Sequence, residues 1–320
     1  MSEMRWDPFQ QEWVISASHR QDRPLLSQGT CPLCPGILEV PRDYQIAVFE
    51  NRYPSFSRFP SHPDVEGHGM LKVGKSQGIC EVVLYTPDHD LTLTDLPPDH
   101  IFRLLQVWTD RYVELGSLPF IKYVYIFENK GEVIGVTLSH PHGQIYAFPY
   151  IPPRVKRELV SAEEYHTREK RCLYCSYLEE EMNCGERIVH SNDDFVALVP
   201  FFARYPYEIH IYPLRHLKSL EEIDDHERRS LAHLLKDVLL AYDTLYSYSF
   251  PYILALYQEP TDGRDFPYFH LHLEFYPPMR AADKQKFPAG CEVGTGTFLN
   301  DTAPEAKAEE LRVVLNRSRG

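Results

Sequence analysis

The chain has 320 residues, the size of two closely joined halves of about 150 residues each. Its 33 Lys plus Arg against 46 Asp plus Glu leave a formal charge of −13, which argues against a nucleic-acid backbone or an anionic membrane as the main partner. With 43% hydrophobic and 25% charged residues it can build a large core, and a disordered chain is excluded.

The opening segment MSEMRWDPFQQEW has no signal-like apolar stretch, and no apolar run approaches the roughly 18 residues of a membrane span. The expectation is a soluble, cytoplasmic protein. Runs rich in β-branched and aromatic residues, bounded by Pro, Asn, Asp or Gly, predict strands at 81–86, 121–128, 143–149, 194–199, 208–213, 251–258 and 269–276. Between them, Phe102, Leu105, Trp108, Tyr112 and Leu115 recur at three- and four-residue intervals and predict a helix over 99–115. The same spacing in Leu231, Leu234, Leu235, Val238, Tyr242 and Leu245 predicts another over 225–245. A polar stretch from about 160 to 190 reads as the junction between the halves. A last helix is expected to start at the capping box Thr302-x-x-Glu305, with Pro304 in its first turn.

The seven cysteines, an odd number, speak against a disulfide framework. Four form two pairs of identical spacing, Cys31-x-x-Cys34 and Cys172-x-x-Cys175, a metal-binding pattern. The pairs belong to a larger repeat. In each half a Glu precedes a His by eight residues (Glu81 and His89, Glu208 and His216), and each half closes on a His-x-His. His89 stands 51 residues before His140, and His216 stands 54 before His270. The order implies an internal duplication: an α+β fold of two tandem halves, 1–160 and 161–320, each an antiparallel sheet with helices.

The block His140-Pro-His142-Gly-Gln144 carries the chemistry. On a strand, residues 140, 142 and 144 share a face at successive spacings of about 7 Å. One imidazole can bind metal while its neighbour attacks phosphorus as a neutral nucleophile.

HPHGQIY, with the upstream ENKG (128–131), FENRYP (49–54), TPDH (86–89), FYPP (275–278) and KFPAGCEVGTG (286–296), resembles the galactose-1-phosphate uridylyltransferase family, a branch of the histidine-triad superfamily. The resemblance runs across nearly the whole chain. It implies exchange of UMP between UDP-glucose and galactose 1-phosphate by a ping-pong mechanism through a uridylyl-histidine. His142 matches the nucleophile and Gln144 the glutamine that bonds the phosphoryl group. Asn129 and Thr137 match phosphate-proximal positions, and Phe49 and Asn51 match positions around the nucleoside. Arg20 and Arg23 look like an arginine pair that reaches the neighbouring subunit's nucleotide, which implies a homodimer with shared sites. Lys286, Phe287 and Glu292 match hexose-side positions, although Cys291 and Phe298 depart from the usual tyrosine and glutamine.

Cys31, Cys34, His89 and His140 match the family's zinc ligands, and the repeat predicts a second zinc site from Cys172, Cys175, His216 and His270. Each such site can add roughly 10–16 kcal/mol of apparent binding energy to folding. Some family members carry instead a second site of one glutamate and three histidines. Here Glu158 and His272 align with two of those ligands, but Tyr257 and Glu274 stand at the others. That pattern is similar to the two-zinc arrangement of the related plant ADP-glucose phosphorylase, so a phosphorylase using inorganic phosphate is the alternative reading. Glu274 stands where the first half has Gln144, so a carboxylate would face any phosphate there. Only the first half is expected to be catalytic. The implied partners are small molecules, with neither nucleic acid nor membrane.

Overall fold

The structure, a computed structural model, describes residues 2–22 and 31–318. Strands β1 (Ser2–Asp7) and β2 (Glu12–Ala17) open the chain. Next come β3 (Ala47–Glu50), β4 (Val73–Lys75), β5 (Ile79–Leu84), helix α1 (Pro98–Gly116), β6 (Tyr123–Lys130) and β7 (His142–Phe148). Helices α2 (Pro153–Glu169) and α3 (Leu173–Cys184) form the junction. The second half holds β8 (Ile188–Ser191), β9 (Phe195–Leu198), β10 (Ile209–Pro213), α4 (Asp225–Leu245), β11 (Tyr252–Tyr257) and β12 (His272–Tyr276). The short β13 (Met279–Ala281), β14 (Lys284–Gln285), α5 (Gly290–Thr295) and α6 (Pro304–Ser318) complete it.

Nine strands form one antiparallel sheet in the order β3-β5-β7-β6-β11-β12-β10-β9-β8. Outward from the central β6·β11 seam the order is β6-β7-β5-β3 on one side and β11-β12-β10-β9 on the other. The corresponding elements of the two halves therefore occupy mirrored places, and β8 adds an edge strand to the second.

One face of the sheet carries α1, α4 and α6 over a core shared by both halves, including Trp108, Leu234, Val238, Leu311, Ile145 and Leu273. Seven α1 residues from Ile101 to Leu115 are buried there, and each fully buried large apolar side chain contributes about 1.5–3 kcal/mol. Helix α4 starts on a full capping box: Asp224 Oδ1 accepts from Glu227 N at 2.9 Å, and Glu227 Oε2 accepts from Asp224 N at 3.0 Å.

The opposite face is covered unequally. Val155 and Leu159 of α2 and Leu178 of α3 pack over the second half, while the first half is covered near Cys31, Leu33 and Val40 at one end and by Met4, Trp13 and Phe56 at the other, leaving the His142 end of β7 open between them. As a result β7 alternates half-buried and buried residues, whereas β12 is buried throughout.

The structure adds to the expected elements in two places and corrects one. The 160–190 junction is largely helical. The last helix starts one residue late: Ala303 is its first carbonyl acceptor, Thr302 bonds Asn300, and Glu305 pairs with Arg187 rather than closing a box. The three-stranded sheet β2-β1-β4 has no counterpart in the predicted strands. Among the described residues no helix is long and apolar enough to cross a membrane.

Candidate active site and metal centres

Cys31 and Cys34 sit on a tight turn closed by the Cys34 N–H bonding the Cys31 carbonyl at 3.2 Å. His89 follows β5 and His140 precedes β7. One donor atom from each of the four lies within 4.8 Å of the others. Cys34 Sγ is 3.6 Å from His89 Nδ1 and 3.9 Å from His140 Nδ1. The far nitrogen of His140 donates to the Thr86 carbonyl at 2.9 Å, and that of His89 meets Ser139 Oγ at 3.2 Å. A ring proton held on Nε2 leaves the His140 Nδ1 lone pair for a cation. Burial holds the His140 imidazole below its ordinary pKa, while burial and the neighbouring Cys31 push the Cys34 thiol up. A bound cation would relieve that opposition.

The second half repeats the arrangement. Cys172, Cys175, His216 and His270 bring their donor atoms within 4.8 Å, and Cys175 Sγ is 3.4 Å from both His216 Nδ1 and His270 Nδ1. His270 Nε2 donates to the Pro213 carbonyl at 3.1 Å, three residues before His216, as Thr86 lies three before His89. Two thiols and two imidazoles in each group fit a closed tetrahedral site of the structural type.

His142 begins β7. Its Nδ1 is 2.7 Å from the His140 carbonyl, which can only accept, so the ring proton is on Nδ1 and the lone pair is at Nε2. Two cavities meet at this side chain. One, of about 730 Å³, is lined by Asn129, Thr137 and the first cysteine–histidine group. The other, of about 120 Å³, is lined by Phe49, Asn51, Val82, Leu138 and Gln144. Thr137 and His142 belong to both walls. Asn51 Nδ2 reaches Gln144 Oε1 at 3.5 Å, so the amide of Gln144 turns its oxygen to Asn51 and its donors elsewhere. A nucleophilic nitrogen, polar phosphate-sized space and an apolar slot are thus contiguous.

Residues 1–152 match the family described as galactose-1-phosphate uridyl transferase, N-terminal domain, and residues 158–318 match its C-terminal domain. The chain belongs to the galactose-1-phosphate uridylyltransferase family. It is similar to the galactose-1-phosphate uridylyltransferase of Thermotoga maritima, with 42% identity over 98% of each chain. A solved uridylyltransferase structure matches with a TM-score of 0.91 and 36% identity, covering 99% of this chain and all of that one. An Arabidopsis thaliana ADP-glucose phosphorylase with bound ADP-glucose matches at 0.74 and 27%, covering 98% of each chain. The chain is an enzyme of the uridylyltransferase family.

Within one chain of this uridylyltransferase-family fold, not every expected site residue gathers at His142. Arg20 lies on the same face of β7, where it bonds Ser55 Oγ at 2.6 Å and Tyr146 Oη at 3.2 Å. Arg23 falls outside the described residues. Lys286, Phe287 and Glu292 line neither cavity. Lys286 and Glu292 pair at 3.2 Å, and Lys286 also donates to the Leu299 carbonyl. Backbone donors and Lys286 hold the Glu292 carboxyl down at about 2, while Phe287 is exposed.

His272, the counterpart of His142, keeps the same Nδ1 bond, to the His270 carbonyl at 2.8 Å, but it is sealed in. Tyr257 stacks on it at 4.9 Å and Tyr212 at 5.5 Å. Glu158, His272 and Glu274 form a third donor group, and a cation already sits against it. Arg154 bonds Glu158 Oε1 at 2.9 Å and Glu274 Oε2 at 2.5 Å, over the Tyr257 ring. Burial opposes ionisation of Glu274, but His210 and Arg154 hold its carboxyl below the usual value.

Glu128 also lines the larger cavity, beside Asn129. It lies in the quoted ENKG block, and a carboxylate inside the apolar run YVYIFENK was a signal that Asn129 overshadowed.

Proposed function

We propose that the chain moves a uridylyl group from UDP-glucose to galactose 1-phosphate through a covalent uridylyl-histidine at His142. The observation that carries this reading is the Nδ1 bond of His142 to the His140 carbonyl, which puts the reactive lone pair at Nε2 on the wall between the two cavities. As Nε2 bonds to the α-phosphorus, the phosphorus–oxygen bond to glucose 1-phosphate breaks and its electron pair leaves with that product. Galactose 1-phosphate then displaces the histidine and regenerates it. Phosphoryl transfer of this kind needs positioning and charge stabilisation more than proton transfer. Gln144, Asn129 and Thr137 supply donors to the phosphoryl oxygens, and Phe49 and Asn51 hold the nucleoside in the apolar slot.

The two cysteine–histidine groups hold zinc in this reading, as structural ions that fix the loops around each His-x-His. The halves divide near residue 160, in α2. Because Lys286, Phe287 and Glu292 stand away from His142 of their own chain, the reading includes a homodimer in which they and the Arg20–Arg23 segment serve the partner's site. The protein is expected to act on small molecules in the cytoplasm. The identities of 42% and 36% to uridylyltransferases, against 27% to the phosphorylase, favour uridylyl transfer.

The test is intact-protein mass spectrometry after mixing with UDP-glucose or ADP-glucose and no acceptor. A uridylyl adduct discharged by galactose 1-phosphate but not by phosphate is expected. An adenylyl adduct discharged by phosphate would assign the chain to phosphorylase chemistry instead.

A further inference from the structure

The sheet beneath the His-x-His strand differs between the halves in one respect that the mechanism above does not use. In the second half Ala255 pairs with Glu274 and Leu256 with Leu273, so the residue after the His272 position rests on a leucine. In the first half Phe127 pairs with Gln144, and the next step of the same register sets Glu128 against Gly143. Leu256 and Leu273 are fully buried, and Glu128 is only 4% exposed. An apolar pair is therefore replaced by a buried carboxyl and a glycine, directly behind the peptide that follows the nucleophile.

The surroundings of Glu128 are polar and incompletely satisfied. Tyr252 of β11 donates to Oε1 at 3.3 Å, while Oε2 is buried without a hydrogen-bond partner. The Tyr85 hydroxyl, just past β5, is buried beside that carboxyl and is the group that faces it. It fills the space that a Cβ at Gly143 would need, so only glycine fits there. Lys130 of β6 lies nearby and is paired with Asp243 of α4 at 2.9 Å. Farther along α4, Lys236 is spent on the Thr94 and Leu96 carbonyls. Burial pushes the Glu128 carboxyl up to about 7, against the pull of Lys130, Tyr252 and Tyr85, with Asp243 adding to the rise. Leaving a carboxyl half-satisfied in a core costs stability, and the second half shows that leucines can fill the same place.

We propose that Glu128 is a positioning residue for the His142 displacement, acting from behind β7 through its charge. When Nε2 gives its lone pair to phosphorus and keeps the proton on Nδ1, the imidazole becomes cationic, and an ionised Glu128 on the far side of the sheet stabilises that charge. Protonation of Glu128 removes the effect. In a low-dielectric interior a charge paired across the strand with the residue next to the nucleophile is expected to change the rate about tenfold. The inference rests on the proposed uridylyl-histidine.

The experiment is single-turnover formation of the uridylyl adduct from UDP-glucose, pH 5.5 to 8.5, in the wild type and in Glu128→Gln. The ratio of the two rates cancels the titration of His142 itself. It should be near one at the acid end and rise to about tenfold with a midpoint near the Glu128 value. A ratio that is constant across the range, whatever its size, would show a purely structural role and overturn the proposal. Should Glu128→Gln fold poorly, Tyr252→Phe removes the donor to Oε1. The alkaline rise in wild-type-like turnover then moves to higher pH, and an unmoved rise contradicts the proposal. If the wild type forms no adduct at any pH, the uridylyl-histidine reading fails and this inference falls with it. An adduct with a flat ratio refutes the inference alone.

Discussion

Strands β7 and β12 share a sequence pattern, a register and the same backbone bond to the first histidine of the pair, yet only β7 opens its second histidine to a cavity. His142 opens on two cavities, whereas His272 is enclosed by Tyr257, Tyr212 and Tyr174. The difference lies in what covers the sheet. Helices α2 and α3 bury the second half, and Arg154 pairs with Glu158 and with Glu274, the carboxylate that stands where the first half has Gln144. Both halves thus keep a cysteine–histidine group, while the second covers the face that the first leaves open. A repeated His-x-His is not a repeated cavity unless its face stays open.

The comparison breaks most sharply at the histidines. His142→Ala should abolish uridylyl transfer with the fold retained, while Ala at His272 should leave no loss of chemistry beyond that caused by misfolding. Activity per folded molecule, with circular dichroism as the control, checks both. Metal comes next. Cys31→Ser and Cys172→Ser should each remove one zinc from a total of about two per chain and lower the melting temperature. Elemental analysis showing unchanged stoichiometry in either variant would remove that site from the account.

Arg154→Met should cost about 3–5 kcal/mol, since it strands Glu158 and Glu274 in the core. Denaturant unfolding reads this out, and a loss below about 1 kcal/mol would show that the cluster is not held by its cation. Glu128→Gln should have the opposite sign above neutrality. The wild-type carboxyl is raised from 4.5 to about 7 in the folded state, so the folded protein binds more protons than the unfolded chain between those values. Wild-type stability therefore falls as pH rises through that window, by up to about 3 kcal/mol. The variant should escape that fall, which melting curves at pH 5 and pH 8 can check. The smallest effect is expected from Asp224→Ala, about 1 kcal/mol for loss of the α4 cap.

The sequence made the sheet and its helices legible where the pattern was strong. Strands β5, β6, β7 and β12 and helices α1 and α4 lie within a few residues of their expected bounds because their apolar periods are continuous. Helix α2 escaped notice because only Val155, Leu159 and Ala162 are buried in a segment otherwise full of charge. The spacing marked the two CxxC pairs, the family resemblance added His89 and His140 to the first, and the repeat carried the set to the second; the sheet brings each set together. Lys286 and Glu292 illustrate the limit. The family resemblance points them to a sugar, but where the chain carries them depends on packing around Leu299. Glu128 was hidden for a different reason. Its meaning depends on which residue lies across the strand, and only the register supplies Gly143 and Tyr85.

The central claim is that one histidine of the two equivalent pairs is the nucleophile. Peptide mapping of the adduct formed from UDP-glucose in the absence of acceptor tests it most directly. The account predicts a single uridylyl group on the peptide containing His142 and none on that containing His272. Modification at His272, or an enzyme that turns over without ever carrying the group, would contradict it.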